Sequence, residues 1–325
     1  MGTTDVRIKN FIRINTVFAQ LFSEGVFGGR MKIDPNRLQE LDAANQETIR
    51  LEDGQLKDVE RQRDVQKISM LFDEKMEFQV IMGVEGQDGV HYFMPVRCME
   101  LDAMSYSFQC RRISEKAKER GELKKYADGV PKGTKIVPAV TLVLYCGSTP
   151  WDGPTDLYDL LDIPEDMKEW AKTVIPDYRM HLIDAGHMTE EEIDRFDGDL
   201  KAFLLMIQEY YDREKLKTVI ATHRETWYAI SAVKRDRRYA EYIDSVTDED
   251  MAGGMYMDAT LDKLIAEGKA EGIEEGRAEG KAEGTARVNK LGTKMKEAGR
   301  LEDFVKSLSD ESLQRQLFIE FRIDK

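Results

Sequence analysis

The sequence predicts a mixed α/β core followed by a helical extension. Three features carry that prediction. Apolar, β-prone runs alternate with amphipathic stretches up to residue 186. Helical periodicity alone continues over 187–250. A four-residue Glu-Gly repeat then fills much of 251–298, ahead of short amphipathic segments at 299–325. At 325 residues the chain has ample length to bury a proper core.

Phe11, Ile14, Phe18, Leu21 and Phe22 recur at helical spacing and predict a first amphipathic helix, ended by Gly25 and the pair Gly28-Gly29. Asp34-Pro35-Asn36 is a helix-start signal and predicts a short helix through Leu38 and Leu41. Residues 45–60 are polar and acidic, and read as irregular. Arg63-Asp64-Val65-Gln66-Lys67-Ile68 reads as a strand that returns through Phe72-Asp73-Glu74-Lys75 into Phe78-Gln79-Val80-Ile81-Met82-Gly83-Val84. After the turn dipeptide Asp88-Gly89, Pro95 opens a long helix with a buried stripe of Val96, Met99, Ala103 and Met104; from it Ser105, Tyr106 and Gln109 are candidates to reach a phosphate. Gly121, Gly129, Pro131 and Gly133 mark a loop, and Ile136 to Tyr145 is β-branched and aromatic enough for a central strand covered on both faces. Trp151-Asp152-Gly153-Pro154 reads as a turn, Leu157 to Leu161 as a short helix and Met180 to Ile183 as another strand. Thr189 followed by Glu190-Glu191-Glu192 caps a helix, and helices are expected through Phe203-Leu204-Ile207 and Val219-Ile220-Trp227-Ile230.

The chemistry concentrates at the end of the second predicted strand, in Val84-Glu85-Gly86-Gln87. Side chains alternate along a strand, so Glu85 and Gln87 share a face, and a hairpin brings Asp64 beside them. Carboxylates held together repel unless a cation lies between them. Hard oxygen donors in this number suit Mg²⁺ or Mn²⁺, with positions left for water and phosphate, which is the minimal apparatus of metal-assisted phosphodiester hydrolysis.

Asp64 followed by Glu85-x-Gln87 resembles the PD-(D/E)XK nuclease superfamily, in the branch where Gln replaces the usual Lys. The blocks around it look like the Rpn-like recombination-promoting nucleases, the PD-(D/E)XK nuclease family transposases. They are Phe18-Ala19-Gln20-Leu21-Phe22 with Phe27-Gly28-Gly29 after it, Gly83 to Gln87, His91 to Arg97 with Asp102 to Tyr106, Pro150 to Pro154, and Tyr178 to Asp184. The resemblance spans most of residues 11–265. It implies a restriction-endonuclease-like mixed sheet flanked by helices over 1–186, and a metal-dependent DNA endonuclease tied to transposition or recombination. Asp64 and Glu85 would be the metal ligands and Gln87 the group that orients water or phosphate. In the wider superfamily an acid on the first helix often assists the metal, which makes Glu24 a further candidate.

The formal charge of −14 argues against uniform nucleic-acid binding, but distribution matters more than the sum. From Arg111 to Lys135 nine bases face four acids, and from Lys215 to Arg238 seven face two. Arg111, Arg112, Lys124, Lys125 and Lys132 are therefore the candidate DNA contacts, expected beside the carboxylates. From Asp152 to Asp199 fifteen acids face four bases, a surface expected to turn away from DNA. His181 and His187 are weak metal candidates. Cys98, Cys110 and Cys146 fit neither a disulfide framework nor a zinc motif, and with no run of eighteen apolar residues they suggest a cytoplasmic protein with reduced thiols. Glu at 267, 271, 275, 279 and 283, each followed by Gly, reads as a weak charged helix or a spacer, with the last segments a docking or homo-oligomerising unit. Two other functions stay open: an inactive nuclease-fold binding module, and an oligomeric scaffold acting through the tail.

Overall fold

The structure is a computed structural model that describes residues 3–41, 44–50, 56–73, 76–121, 130–208 and 213–323. The chain forms two compact units, Met1–Thr260 and Leu261–Lys325.

The first unit opens with helix α1 (Thr3–Arg13), breaks at Ile14, and restarts as α2 (Asn15–Gln20) running into a π-helical turn, Leu21–Val26. The single helix expected here is interrupted because Ile14 adopts an extended backbone, with φ −58° and ψ 121°. Lys67, buried in the sheet, donates its ammonium to the freed carbonyl of Arg13 (2.5 Å) and to Asn15 Oδ1 (2.6 Å). A cation at a helix C-terminus is favourable against the dipole, so the break is stabilised from outside the helix.

Strand β1 (Lys32–Ile33) follows, then a 3₁₀ turn, Pro35–Arg37, then β2 (Gln39–Glu40). Asp34 does cap Asn36 N–H at 2.9 Å, but the expected helix through Leu41 is only this turn, because Gln39 and Glu40 pair instead with the sheet. The segment expected to be irregular is a hairpin, β3 (Ala44–Arg50) against β4 (Leu56–Gln62). Thr48, Ile49 and Val59 supply β-prone positions that its acidic composition concealed.

Strands β5 (Val65–Phe72) and β6 (Glu77–Gln87) form the antiparallel pair that the sequence predicts, in a register that sets Val65 opposite Val84. Helix α3 (Met94–Glu119) crosses back along the sheet and delivers β7 (Ala139–Tyr145), parallel to β6. After α4 (Lys168–Val174), β8 (His181–Asp184) adds parallel to β7. The six-stranded mixed sheet thus runs β1-β5-β6-β7-β8, with β2 also paired to β5. At Gly86 the sheet meets Ile8 and Ile12 of α1, while the neighbouring Glu85 meets Arg97 of α3. Successive residues point to opposite faces, so α1 and α3 cover opposite faces of the sheet.

The contacts of α3 fix how β7 enters. Cys98 packs with Val143, the Asp102 carboxylate accepts from Thr141 Oγ1 (2.7 Å), Tyr106 bonds both backbone groups of Ala139, and Gln109 bonds both of Val137. Ser105, Tyr106 and Gln109 are thereby committed to the fold. Ser105 Oγ accepts from Arg63, and the other two satisfy the incoming strand, so none of them is the phosphate contact expected.

Beyond the sheet come α5 (Glu190–Ile193) with the expected Thr189–Glu192 capping box, α6 (Gly198–Ile207) and α7 (Arg213–Leu216). Val219-Ile220 does not continue a helix. β9 (Ile220–Ala221) pairs with a later strand, and α8 (Arg224–Lys234) starts only after His223. The Asp199 carboxylate accepts the backbone N–H groups of Thr222 and His223 and the hydroxyl of Thr226, which orders this helix start. Helices α9 (Arg238–Asp244) and α10 (Asp248–Ala252) and strand β10 (Met255–Tyr256) complete the unit, and α8 packs against α1. Part of the basic segment is neutralised here, since Lys215 pairs with Asp194 and Glu190.

Helix α11 (Met257–Glu297) is continuous through the Glu-Gly repeat, and the boundary between units falls within it, at 260–261 rather than at 250. In the second unit α12 (Leu301–Ser307) and α13 (Glu311–Glu320) close a small core of Leu291, Met295, Leu317 and Ile323. Among the described residues no helix is long and apolar enough to cross a membrane.

Two predictions follow from this packing. Asp102 carries the fully buried Arg63, so Asp102→Ala is expected to lower the unfolding free energy by about 3–5 kcal/mol in a denaturant titration; a loss below about 1 kcal/mol removes the pair from the core's determinants. Deletion of 266–325 is expected to leave a cooperative thermal transition, because the sheet and its covering helices lie within Met1–Thr260. Loss of that transition refutes the independence of the first unit.

Candidate active site at the end of the central strands

The register of β5 and β6 makes Asp64, just before β5, the neighbour of Glu85. The two acids are tied through backbone N–H groups, Glu85 by that of Asp64 and Asp64 by that of Gly86. Asp64 N–H donates to Glu85 Oε1 at 3.3 Å, and Gly86 N–H donates to Asp64 Oδ2 at 2.8 Å. Gly86 leaves the space close: a Cβ there would come within 3.1 Å of Ile8 Cγ2, a tight contact, and 3.7 Å of Asp64 Oδ2, an ordinary one. Gln87, the last residue of β6, is half-buried two positions on, and its carbonyl accepts Cys146 N–H at 2.7 Å.

Asp64 is steered by a residue that sequence reasoning passed over. Arg63 is wholly buried, and donates to Ser105 Oγ (2.7 Å), Asp102 Oδ1 (2.5 Å) and Thr141 Oγ1 (2.9 Å). Tyr178 donates its hydroxyl to the other oxygen of Asp102 at 2.7 Å. Room for Arg63 comes from Gly83, where a Cβ would lie 2.2 Å from Arg63 Cδ. A charge taken from water needs such partners, and these anchor the chain one residue before Asp64.

Glu85 is entirely buried, and its carboxyl is pushed up to about 7, first by burial and next by the negative charge of Asp64. Arg97, in the first turn of α3, opposes this: its Nε (3.0 Å) and Nη2 (2.7 Å) both reach Glu85 Oε2. Asp64 is also raised, mainly by burial and further by Asp5 of α1, against the Gly86 hydrogen bond and the charges of Lys9 and Arg97. The result is a cluster in which burial raises both carboxyls, the charge of Asp64 raises Glu85 further, and the guanidinium of Arg97 opposes both shifts. Two hard carboxylates with a neutral amide at Gln87 are a fitting donor set for Mg²⁺ or Mn²⁺, and Arg97 stands in as the balancing cation. Among the described residues no third His, Cys, Asp or Glu joins them in a metal-ligand cluster.

The other candidates lie elsewhere. Glu24 accepts from Lys32 at 3.0 Å and lines a cavity with Asp184, His187 and Arg195; the acid of the first helix that Asp64 feels is Asp5. His187 Nδ1 bonds Asp184 Oδ1 at 2.7 Å, while His181 is half-buried with its pKa pushed down by burial. Arg111 and Arg112 are exposed on α3, and Arg112 stacks over Phe108. They do not adjoin the carboxylates. Arg97 sits opposite Glu85, whereas Arg111 is fourteen residues further along the same helix, about 21 Å at 1.5 Å per residue. Lys132, in the loop between α3 and β7, is exposed at that same remote end, and Lys124 and Lys125 lie outside the described residues.

Arg97 did leave a signal in the sequence. A cation in the first turn of a helix opposes the dipole, and α3 has no acid in that turn to offset it, so a tertiary carboxylate partner was to be expected. No family model matches the chain, and neither a curated protein nor a solved structure matches it.

The shift at Glu85 gives a pH prediction. The folded chain holds this proton to about pH 7, and the unfolded chain only to about 4.5. Between those values the unfolded state binds fewer protons, so stability falls as pH rises through the window and levels off above it. Glu85→Gln is expected to remove roughly 2–3 kcal/mol of that decline between pH 5 and pH 8 in urea titrations. Parallel stability profiles for the two proteins are the contrary result.

Proposed function

We propose that the protein is a divalent-metal-dependent DNA endonuclease of the kind associated with transposition or recombination. The observation that carries this reading is the pairing of Asp64 and Glu85 at the end of the central strands, with Gln87 beside them and burial setting the carboxyls against each other. It agrees with the restriction-endonuclease-like arrangement implied by the resemblance: a helix, an antiparallel strand pair, a crossover helix and a parallel strand. Asp64 and Glu85 would hold Mg²⁺ or Mn²⁺. When bound, that ion lowers the pKa of a coordinated water and offsets charge on the phosphate. Gln87 offers one amide donor pair and one acceptor to orient water or a phosphate oxygen, and brings no charge of its own. Arg111 and Arg112 would meet DNA roughly six base-pair steps from the cut, as remote backbone contacts. The absence of a membrane-crossing helix among the described residues is compatible with work in the cytoplasm.

Plasmid nicking with Mg²⁺ or Mn²⁺, against EDTA, tests the reading. Asp64→Ala and Glu85→Ala are each expected to lower cleavage by roughly 100-fold or more while the protein remains folded. Gln87→Lys, which adds a charge at the phosphate, is expected to retain cleavage. Full activity in both alanine variants refutes the site. Metal-independent DNA binding without cleavage favours the inactive binding module, and neither binding nor cleavage leaves the scaffold reading through the tail.

A further inference from the structure

The charge balance of the site assigns Arg97 a part that neither the Asp64–Glu85 pair nor Gln87 can take. Two carboxylates and a divalent cation sum to zero, and a phosphodiester approaching them brings a negative charge that grows as water attacks. Gln87 is neutral and answers none of it. Among the described residues three cations act on the pair, and one of them, Arg63, is fully buried and spent on Asp102, Ser105 and Thr141. Lys9 acts on Asp64 from α1, whereas Arg97 touches Glu85 directly, through two nitrogens on one oxygen. The contact joins a fully buried carboxylate to a side chain that is 41% exposed. The guanidinium therefore stands at the mouth of the site, on a long side chain rooted in the first turn of a 26-residue helix whose positive end faces the same way.

Resting on the nuclease reading above, we propose that Arg97 is a catalytic residue with two alternative partners. It is the counter-ion of Glu85 while no metal is bound, and the ligand of the scissile phosphate once a divalent cation occupies Glu85 Oε2. Both partners are oxyanions, which guanidinium binds through paired N–H groups, so the exchange changes its partner and not its chemistry. The contact that neutralises Glu85 in the free protein is then also a competitor of the metal. It keeps a positive charge stored where the phosphate arrives.

The test uses the full chain with Arg97→Ala, Arg97→Lys and Lys9→Ala, each checked for an unaltered thermal transition. Calorimetric titration with Mn²⁺ is the readout independent of catalysis. Arg97→Ala is expected to bind Mn²⁺ about 10-fold more tightly, since its competitor is gone. Lys9→Ala, which removes a nearby charge without touching Glu85, is expected to change affinity by less than about threefold. In single-turnover nicking at saturating Mn²⁺, Arg97→Ala is expected to be slower by roughly 100-fold, with Arg97→Lys intermediate. Unchanged or weaker Mn²⁺ binding in Arg97→Ala, an equal gain in Lys9→Ala, or undiminished cleavage in Arg97→Ala each overturns the proposal while wild-type cleavage still upholds the nuclease. A wild type that neither binds Mn²⁺ nor nicks DNA overturns both.

Discussion

A guanidinium with no exposure at all, Arg63, is the constraint on which the sheet and its site both depend. Burying a charge costs several kcal/mol unless its hydrogen bonds are restored inside, and Arg63 recovers them from three residues on two elements: Asp102 and Ser105 on α3, and Thr141 on β7. One group binds together the entry to β5, the crossover helix and the parallel strand. Its Nε has no partner among the described atoms, and a Cβ at Gly83 would come within 2.5 Å of that same nitrogen. The strand therefore gives up a side chain at Gly83 to let an arginine lie across it. Because Asp64 is the next residue, the direction of its carboxylate is inherited from this buried pair.

The site itself follows from a conflict that the fold enforces. Asp64 and Glu85 are adjacent by register, so neither can move away without breaking the Gly86 and Asp64 backbone hydrogen bonds. Glu85 is fully buried in the metal-free chain, with Arg97 of α3 against its Oε2. What remains is protonation, a guanidinium or a metal. The first shows in a carboxyl pushed up to about 7, and the second is Arg97. A group that ordinary solvation would leave indifferent is thus poised between three compensations, which is how perturbed carboxyls come to mark functional positions.

Local patterns made much of this legible in the sequence. The apolar run before Glu85 and the β-branched run ending at Tyr145 predict β6 and β7, and Pro95 at the start of α3 predicts the crossover. Strand alternation also relates Glu85 to Gln87. Long-range partners were not legible: nothing local links Arg63 to Asp102, thirty-nine residues on, and Tyr106 and Gln109 looked like phosphate ligands because their backbone partners, Ala139 at the start of β7 and Val137 just before it, arrive only through tertiary structure. Glu24, a candidate only by the resemblance, has its partner nearby in the chain. Asp5, in α1, is the acid whose charge acts on Asp64, and Glu24, in the π-helical turn, pairs with Lys32. Arg111 and Arg112 were expected beside the site, whereas the 26-residue crossover helix carries them about 21 Å along its axis from Arg97.

The repeat in α11 follows a different logic, in which side chains meet solvent and not a packed partner. Glu recurs every four residues from 267, and Lys or Arg stands two positions after it at 269, 277 and 281. Two residues turn a helix by about 200°, so acids and bases occupy opposite sides, with Gly and mostly Ala on the sides between. Side chains from 272 to 286 are all exposed, and the glycines at 272, 276, 280 and 284 have nothing within 4 Å of a notional Cβ. Glutamates four apart repel by a few tenths of a kcal/mol per pair and each Gly costs about 0.8–1.0 kcal/mol against Ala, so the segment gains little from its own sequence beyond Ala and the long polar side chains. Its four-residue period also overshoots a turn by about 40°, and every stripe winds around the helix instead of holding one direction. A fixed apolar seam is therefore absent from this stretch by construction, and the apolar residues of the second unit wait until Leu291 and Met295 to begin a core.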